Sequence, residues 1–143
     1  MATAVLDSNV LIASRDGDDE RCELSRTIIQ KIDHGELPEV RVVSYVVVET
    51  LNLLHSRHSH RLALDTYDRL NQSAGFRIEH ITESDFKKGT ELFHRYSGLS
   101  FVDAVLVAYM RREGITYLYS FDSDFDALDS VTRLQTDANP FGP

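Results

Sequence analysis

The chain is short of cysteine, lysine and long apolar runs. Its one cysteine, Cys22, excludes an internal disulfide and a cysteine-rich zinc site. Lysine occurs only at Lys31, Lys87 and Lys88, against twelve arginines and fourteen aspartates. No stretch approaches the roughly 20 apolar residues that span a bilayer, so no membrane association is expected. The opening Ala2-Thr3-Ala4-Val5-Leu6-Asp7 has no basic region and meets an acid at once, unlike a secretory signal. A Walker-type loop, a Rossmann glycine fingerprint and a Gly-x-Ser-x-Gly elbow are all missing. Repeats, linkers and low-complexity blocks are missing too, so residues 1–143 read as a single domain with a cytoplasmic location.

A net charge of −8 argues against a nucleic-acid partner, because phosphate binding is driven by basic surface. A bound cation would reverse that argument locally. The aspartate-rich, lysine-poor balance also suits a host with high internal salt.

What is present alternates strand and helix. The apolar run 4–6 reads as a strand ending on Asp7, and 10–13 begins a helix. Helical spacing covers 22–32 and closes at His34-Gly35, and 40–43 forms a second strand. A helix over 45–54 follows, with Ser44 as its cap. Residues 55–61 are expected to form a solvated, histidine-rich turn in which Arg57 and Arg61 offer a weak contact to RNA phosphate. Helix 62–70 and strand 76–81 lead to Thr82-Glu83-Ser84-Asp85, which resembles a capping box. Then come a helix over 100–113, a stop at Gly114, a strand over 116–120 and a last strand over 131–134, with a frayed tail at 139–143. Short strands alternating with helices predict an α/β fold with a mainly parallel sheet, whose sites lie beyond the carboxyl ends of its strands.

Four acids stand out. Asp7 and Asp122 each follow a strand, Asp103 is the only charge in the apolar run 101–110, and Glu49 lies mid-helix. Three have ordinary explanations as caps, and Glu49 as a solvent-facing residue. As a set they call for a counter-charge, since carboxylates converging on one point cannot all stay ionised. No basic residue lies in the apolar stretches that deliver them. Hard oxygen ligands suit Mg²⁺ or Mn²⁺, and such ions support phosphodiester hydrolysis.

Val5-Leu6-Asp7-Ser8-Asn9-Val10-Leu11-Ile12 resembles the opening of PIN-domain ribonucleases. Ser44-Tyr45-Val46-Val47-Val48-Glu49-Thr50-Leu51, Leu99-Ser100-Phe101-Val102-Asp103-Ala104 and Ser120-Phe121-Asp122-Ser123-Asp124-Phe125 are similar to that family's later acidic motifs, in the same order. In size the chain looks most like the toxin of VapBC-type toxin–antitoxin pairs. The resemblance implies a PIN-like three-layer sandwich with a central sheet flanked by helices, and a Mg²⁺- or Mn²⁺-dependent endoribonuclease. By position Asp7, Glu49, Asp103 and Asp122 would be the catalytic, metal-binding acids, with Asp124 an auxiliary. Ser8 and Ser120 would orient carboxylates. A homodimer and a small antitoxin, its inhibitory tail carrying arginine, are likewise implied.

Two other readings fit the same residues: a PIN nuclease of RNA processing outside any toxin pair, and a catalytically silent PIN-like module that binds RNA or protein. A receiver-like phosphoacceptor would need two adjacent early acids and a late lysine. Asp7 has no acidic neighbour and no lysine follows Lys88.

Overall fold

The computed structural model describes residues 2–142. In chain order the elements are β1 (Thr3–Leu6), α1 (Ser8–Arg15), α2 (Cys22–Asp33), β2 (Glu39–Val43), α3 (Ser44–Arg57) and α4 (His60–Gln72). There follow β3 (Phe76–Glu79), α5 (Glu83–Arg95), α6 (Phe101–Glu113), β4 (Tyr117–Tyr119), a 3-10 turn (Ser123–Ala127) and β5 (Thr132–Leu134). All four strand pairings are parallel, in the order β3-β2-β1-β4-β5. The flanking helices make this an α/β sheet protein of the expected kind.

The order decides where a site can form. The chain runs outward from β1 through β2 to β3, then returns to the other side of β1 for β4 and β5. The connections leaving β1 and β4 therefore diverge, and a crevice opens beyond their carboxyl ends. The register brings Leu6 opposite Tyr119, and the Asp7 N–H extends the pairing to the Tyr119 carbonyl at 2.9 Å. Asp7 and Ser120 are thus fixed at the mouth of the crevice by the ladder itself.

β1 holds this position because both its faces are covered. Ala4, Val5 and Leu6 are completely buried, the near-continuous apolar pattern of a central parallel strand. In α6, every residue from Ala104 to Met110 is buried. The helix ends where Gly114 turns left-handed (φ 67°), a conformation that glycine adopts without penalty, and Ile115 N–H returns to the Met110 carbonyl at 2.9 Å. α2 instead packs one stripe, Cys22, Ser25, Ile28 and Ile32. Burying each isoleucine fully contributes about 1.5–3 kcal/mol.

Several boundaries differ from the sequence reading. Ser44 is not a cap but the first residue of α3; Val43 occupies the cap position, and no side chain bonds there. The pairing of Val43 with Glu79 carries β2 right up to the helix and leaves no room for a capping turn. The segment 55–61 is mostly helical, with α3 reaching Arg57 and α4 starting at His60. Only His58 and Ser59 lie between the helices; Ser59 caps α4 by accepting the Leu62 N–H at 3.0 Å. α1 starts at Ser8, and β3 stops at Glu79. Near the carboxyl end Phe141 packs edge-on against Tyr117, and Asp137 pairs with Lys31 at 2.8 Å.

Candidate active site

Asp7 ends β1 and caps α1. One carboxylate oxygen accepts the Ser8 N–H at 2.8 Å; the other accepts the Ser120 hydroxyl at 2.8 Å and the Asn9 amide at 3.2 Å. Ser120, wholly buried after β4, also accepts from the Asn9 amide (3.2 Å) and from the Asp122 N–H (3.0 Å). Asn9 accepts the Phe121 N–H at 3.1 Å. Asn9 and Ser120 thus lock the end of β1 to the end of β4. Sequence reasoning missed Asn9, because an asparagine three residues after a strand carries no pattern of its own.

Glu49 stands exposed on α3, in hydrogen-bond contact with the Ser8 hydroxyl, which donates to it. Asp103 lies in the first turn of α6, its N–H donated to the Ser100 hydroxyl at 3.2 Å. The reciprocal bond of a full capping box is present on α5, between Thr82 and Asp85, and is not part of the Ser100 cap. The Asp103 carboxylate makes no reciprocal bond to the Ser100 backbone, though the Ser100 hydroxyl acts on it. Asp122 caps the 3-10 turn by accepting the Asp124 N–H at 2.9 Å. Asp124 is exposed and touches this set through its backbone.

Electrostatics couples four of these acids. Burial pushes Asp7 up to about 6; the Ser120 hydroxyl and Ser8 N–H restrain the rise, and the charges of Glu49 and Asp122 add to it. Burial likewise pushes Asp103 up to about 7, reinforced by Asp7, Asp122 and Glu49 and opposed by the Ser100 hydroxyl. Acids that raise one another in this way lie within range of each other's charge. Among the described residues, none of Asp7, Glu49, Asp103, Asp122 or Asp124 forms an ion pair with a protein cation.

This donor set fits a hard divalent cation: carboxylate and hydroxyl oxygens only, one acid buried, and no protein cation to neutralise them. Among the described residues no three acidic, histidine or cysteine side chains already form a closed ligand cluster. The acids are linked by their mutual charge effects and by the Ser8, Asn9 and Ser120 hydrogen bonds rather than by a preformed cage. Arg57 and Arg61 are exposed at the junction of α3 and α4. Arg57 lies eight residues beyond Glu49 on α3, about 12 Å along the axis. The structure does not bring either arginine to the carboxylates.

Residues 4–131 match the PIN domain family. The 23S rRNA-specific endonuclease VapC20 of Mycobacterium tuberculosis is 37% identical over 96 residues, which is 66% of this chain and 72% of that protein. The crystal structure of VapC20, described as a sarcin–ricin loop cleaving toxin, superposes with a TM-score of 0.75 at 28% identity, covering 96% of this chain and 99% of that one. VapBC2 from Rickettsia felis shares the fold with a TM-score of 0.71 at 9% identity, over 93% and 98% of the two chains. With family and solved relative matched over most of its length, the chain belongs to the PIN domain family.

Proposed function

We propose that this protein is a divalent-metal-dependent endoribonuclease and the toxin of a VapBC-type pair. What supports the reading is the clamp of Asp7, Ser120 and Asn9 at the ends of β1 and β4, with Ser8 on Glu49 and the Asp122 N–H on Ser120, and the mutual charge effects of Asp7, Glu49, Asp103 and Asp122, none of them paired with a protein cation among the described residues. Identity to VapC20 supports RNA as the substrate and makes a ribosomal RNA stem-loop the first to test.

Asp7, Glu49, Asp103 and Asp122 would hold the ion, with Asp124 as an auxiliary. When bound, Mg²⁺ or Mn²⁺ supplies a nucleophile at neutral pH and stabilises the charge that builds on the phosphate during in-line displacement. Ser120 and Asn9 keep Asp7 in one orientation, and Ser8 does the same for Glu49. These residues bind and orient.

An antitoxin belongs to this reading. Unpaired carboxylates are a ready target for arginine in an inhibitory segment, since guanidinium and carboxylate pair through two parallel bonds. A homodimer belongs to it as well. Phe86 and Phe93, edge-on to Phe101 and both nearly half exposed, give a second copy an apolar face to cover. We place the protein in the cytoplasm, with its RNA.

The test is RNA cleavage by wild type and Asp103→Asn, in Mg²⁺, Mn²⁺ and EDTA, at several salt concentrations. Cleavage that needs the metal and disappears in a folded Asp103→Asn protein is expected. Equal cleavage by both proteins, or none by wild type under any metal and salt, overturns the reading.

A further inference from the structure

The acidic pocket solves the problem of holding a cation and creates another, since RNA phosphates must approach four carboxylates on a chain of net charge −8. A cation at the rim would offset that repulsion. Two arginines bear on the corner that carries Asp122. Arg133 feels the Asp122 charge, but its guanidinium is committed to Asp126 through two bonds of 2.9 and 3.0 Å and is largely buried. Arg133 also donates to the Ser120 carbonyl at 3.3 Å and to Gln135 at 3.0 Å. Its donors are used within the protein.

Arg21 is different. It leaves the loop between α1 and α2 and lays its guanidinium 4.6 Å from the ring centroid of Phe121. Phe121 lies between Ser120 and Asp122, and its N–H is held by Asn9. The ring under Arg21 is thus anchored to the same clamp that positions Asp7. Asp19 accepts the Arg21 backbone N–H at 2.8 Å and, more loosely, its side-chain Nε at 3.5 Å. The two Nη groups make no hydrogen bond among the described residues, and the side chain is 44% exposed. A flat cation seated on an aromatic face keeps its outer edge open to a second partner.

We propose that Arg21, held on Phe121, is a substrate-positioning residue that binds an RNA phosphate at the rim of the acidic pocket. This rests on the endoribonuclease reading and adds to it the group that admits a polyanion to an acidic site. Both Nη groups suit the two oxygens of a phosphodiester. The interaction is made with the nucleic-acid backbone, so it affects affinity for all sequences alike.

The test compares wild type with Arg21→Gln, Arg21→Lys and Phe121→Leu on one RNA substrate. Arg21→Gln is expected to raise KM about tenfold with kcat within about twofold, and to lower the slope of log affinity against log salt by about one. Arg21→Lys should restore most of the salt slope and part of the KM. Phe121→Leu should resemble Arg21→Gln in KM while keeping the salt slope, because the charge remains but its seat is lost. RNA affinity measured in an Asp103→Asn background separates this proposal from the nuclease reading. Binding that falls with Arg21→Gln upholds the rim cation even if wild type proves catalytically silent. Unchanged KM, affinity and salt slope in Arg21→Gln overturn it, as does an RNA affinity too weak to detect in the Asp103→Asn protein.

Discussion

Ser120 donates its hydroxyl to Asp7 across 2.8 Å, joining residues 113 positions apart in sequence. That bond favours the charged form of a carboxylate that burial would otherwise protonate. It couples the pairing of β1 with β4 directly to the ionisation of the buried acid.

Removing the donor should therefore be felt as a shift in pH dependence. In Ser120→Ala, Asp7 titrates above its value of about 6, and the rising limb of the pH–rate profile moves to higher pH. Metal affinity should fall about tenfold, as for other groups that orient a ligand. A calorimetric Mn²⁺ titration and a pH–rate profile check both; an unmoved profile would deny the coupling.

Asp7 and a second acid, Asp103, also make the stability of the fold depend on pH. Asp7 and Asp103 titrate at about 6 and about 7 in the folded chain, above the usual 3.8. Between these values the folded protein keeps protons that the unfolded chain has released. Their contribution to stability is then fully present below about 3.8 and is lost as pH rises from there through about 6 to 7. In EDTA the melting temperature should decline across that interval, and Asp7→Asn should flatten the decline. Mg²⁺ or Mn²⁺ should remove it at neutral pH by binding the folded state alone. Scanning calorimetry across pH, with and without metal, reads all three effects.

Ser8 and Glu49 should behave as one unit. Ser8→Ala frees Glu49 to rotate, and Glu49→Gln removes its charge, so the double variant should lose little beyond the worse single one. A cycle on kcat/KM should show a coupling of about 1 kcal/mol. Strict additivity would mean that the hydroxyl does not orient the acid.

Away from the pocket, stability depends on how α5 meets α6. Asp85 is 1% exposed and receives two bonds from Arg112, at 2.7 and 3.0 Å. Burial raises its pKa, but Arg112 and the Thr82 N–H more than offset that, leaving the carboxyl below its usual range. Arg112→Ala strands a buried charge and should cost about 3–5 kcal/mol, whereas Asp85→Ala leaves an arginine that reaches water and should cost about 2 kcal/mol. Gly89→Ala should cost about 2 kcal/mol, because its Cβ would lie 2.6 Å from Val105 Cγ2 and 2.8 Å from Val105 Cα. Chemical denaturation measures each; activity per folded molecule should be unchanged.

The acids were readable in the sequence because each is an exception in its surroundings. Asp7 and Asp122 break off apolar strands, and Asp103 interrupts the most apolar run in the chain. Gly114 announced the end of α6 because only glycine turns left-handed cheaply there. What stayed hidden depends on partners far along the chain. Asp85 read as a capping residue, and it is one, but nothing nearby points to Arg112. Ser44 looked like a cap because local preference says so; the pairing of β2 with β3 decided otherwise. The stretch 55–61 looked like a turn because its residues are polar. They are polar because they lie on exposed helix ends, which composition alone does not separate from loop.

On the function proposed above, the strand order also bears on when activity first appears during synthesis. A ribosome that has completed residues 1–110 has made β1 and three of the acids, but neither Ser120 nor Asp122. β4, the neighbour that closes the crevice, follows almost every other element. An interrupted or half-made chain therefore has no finished site. A chain must extend past β4 and Asp122 before it carries one, so the order of synthesis itself would delay that activity.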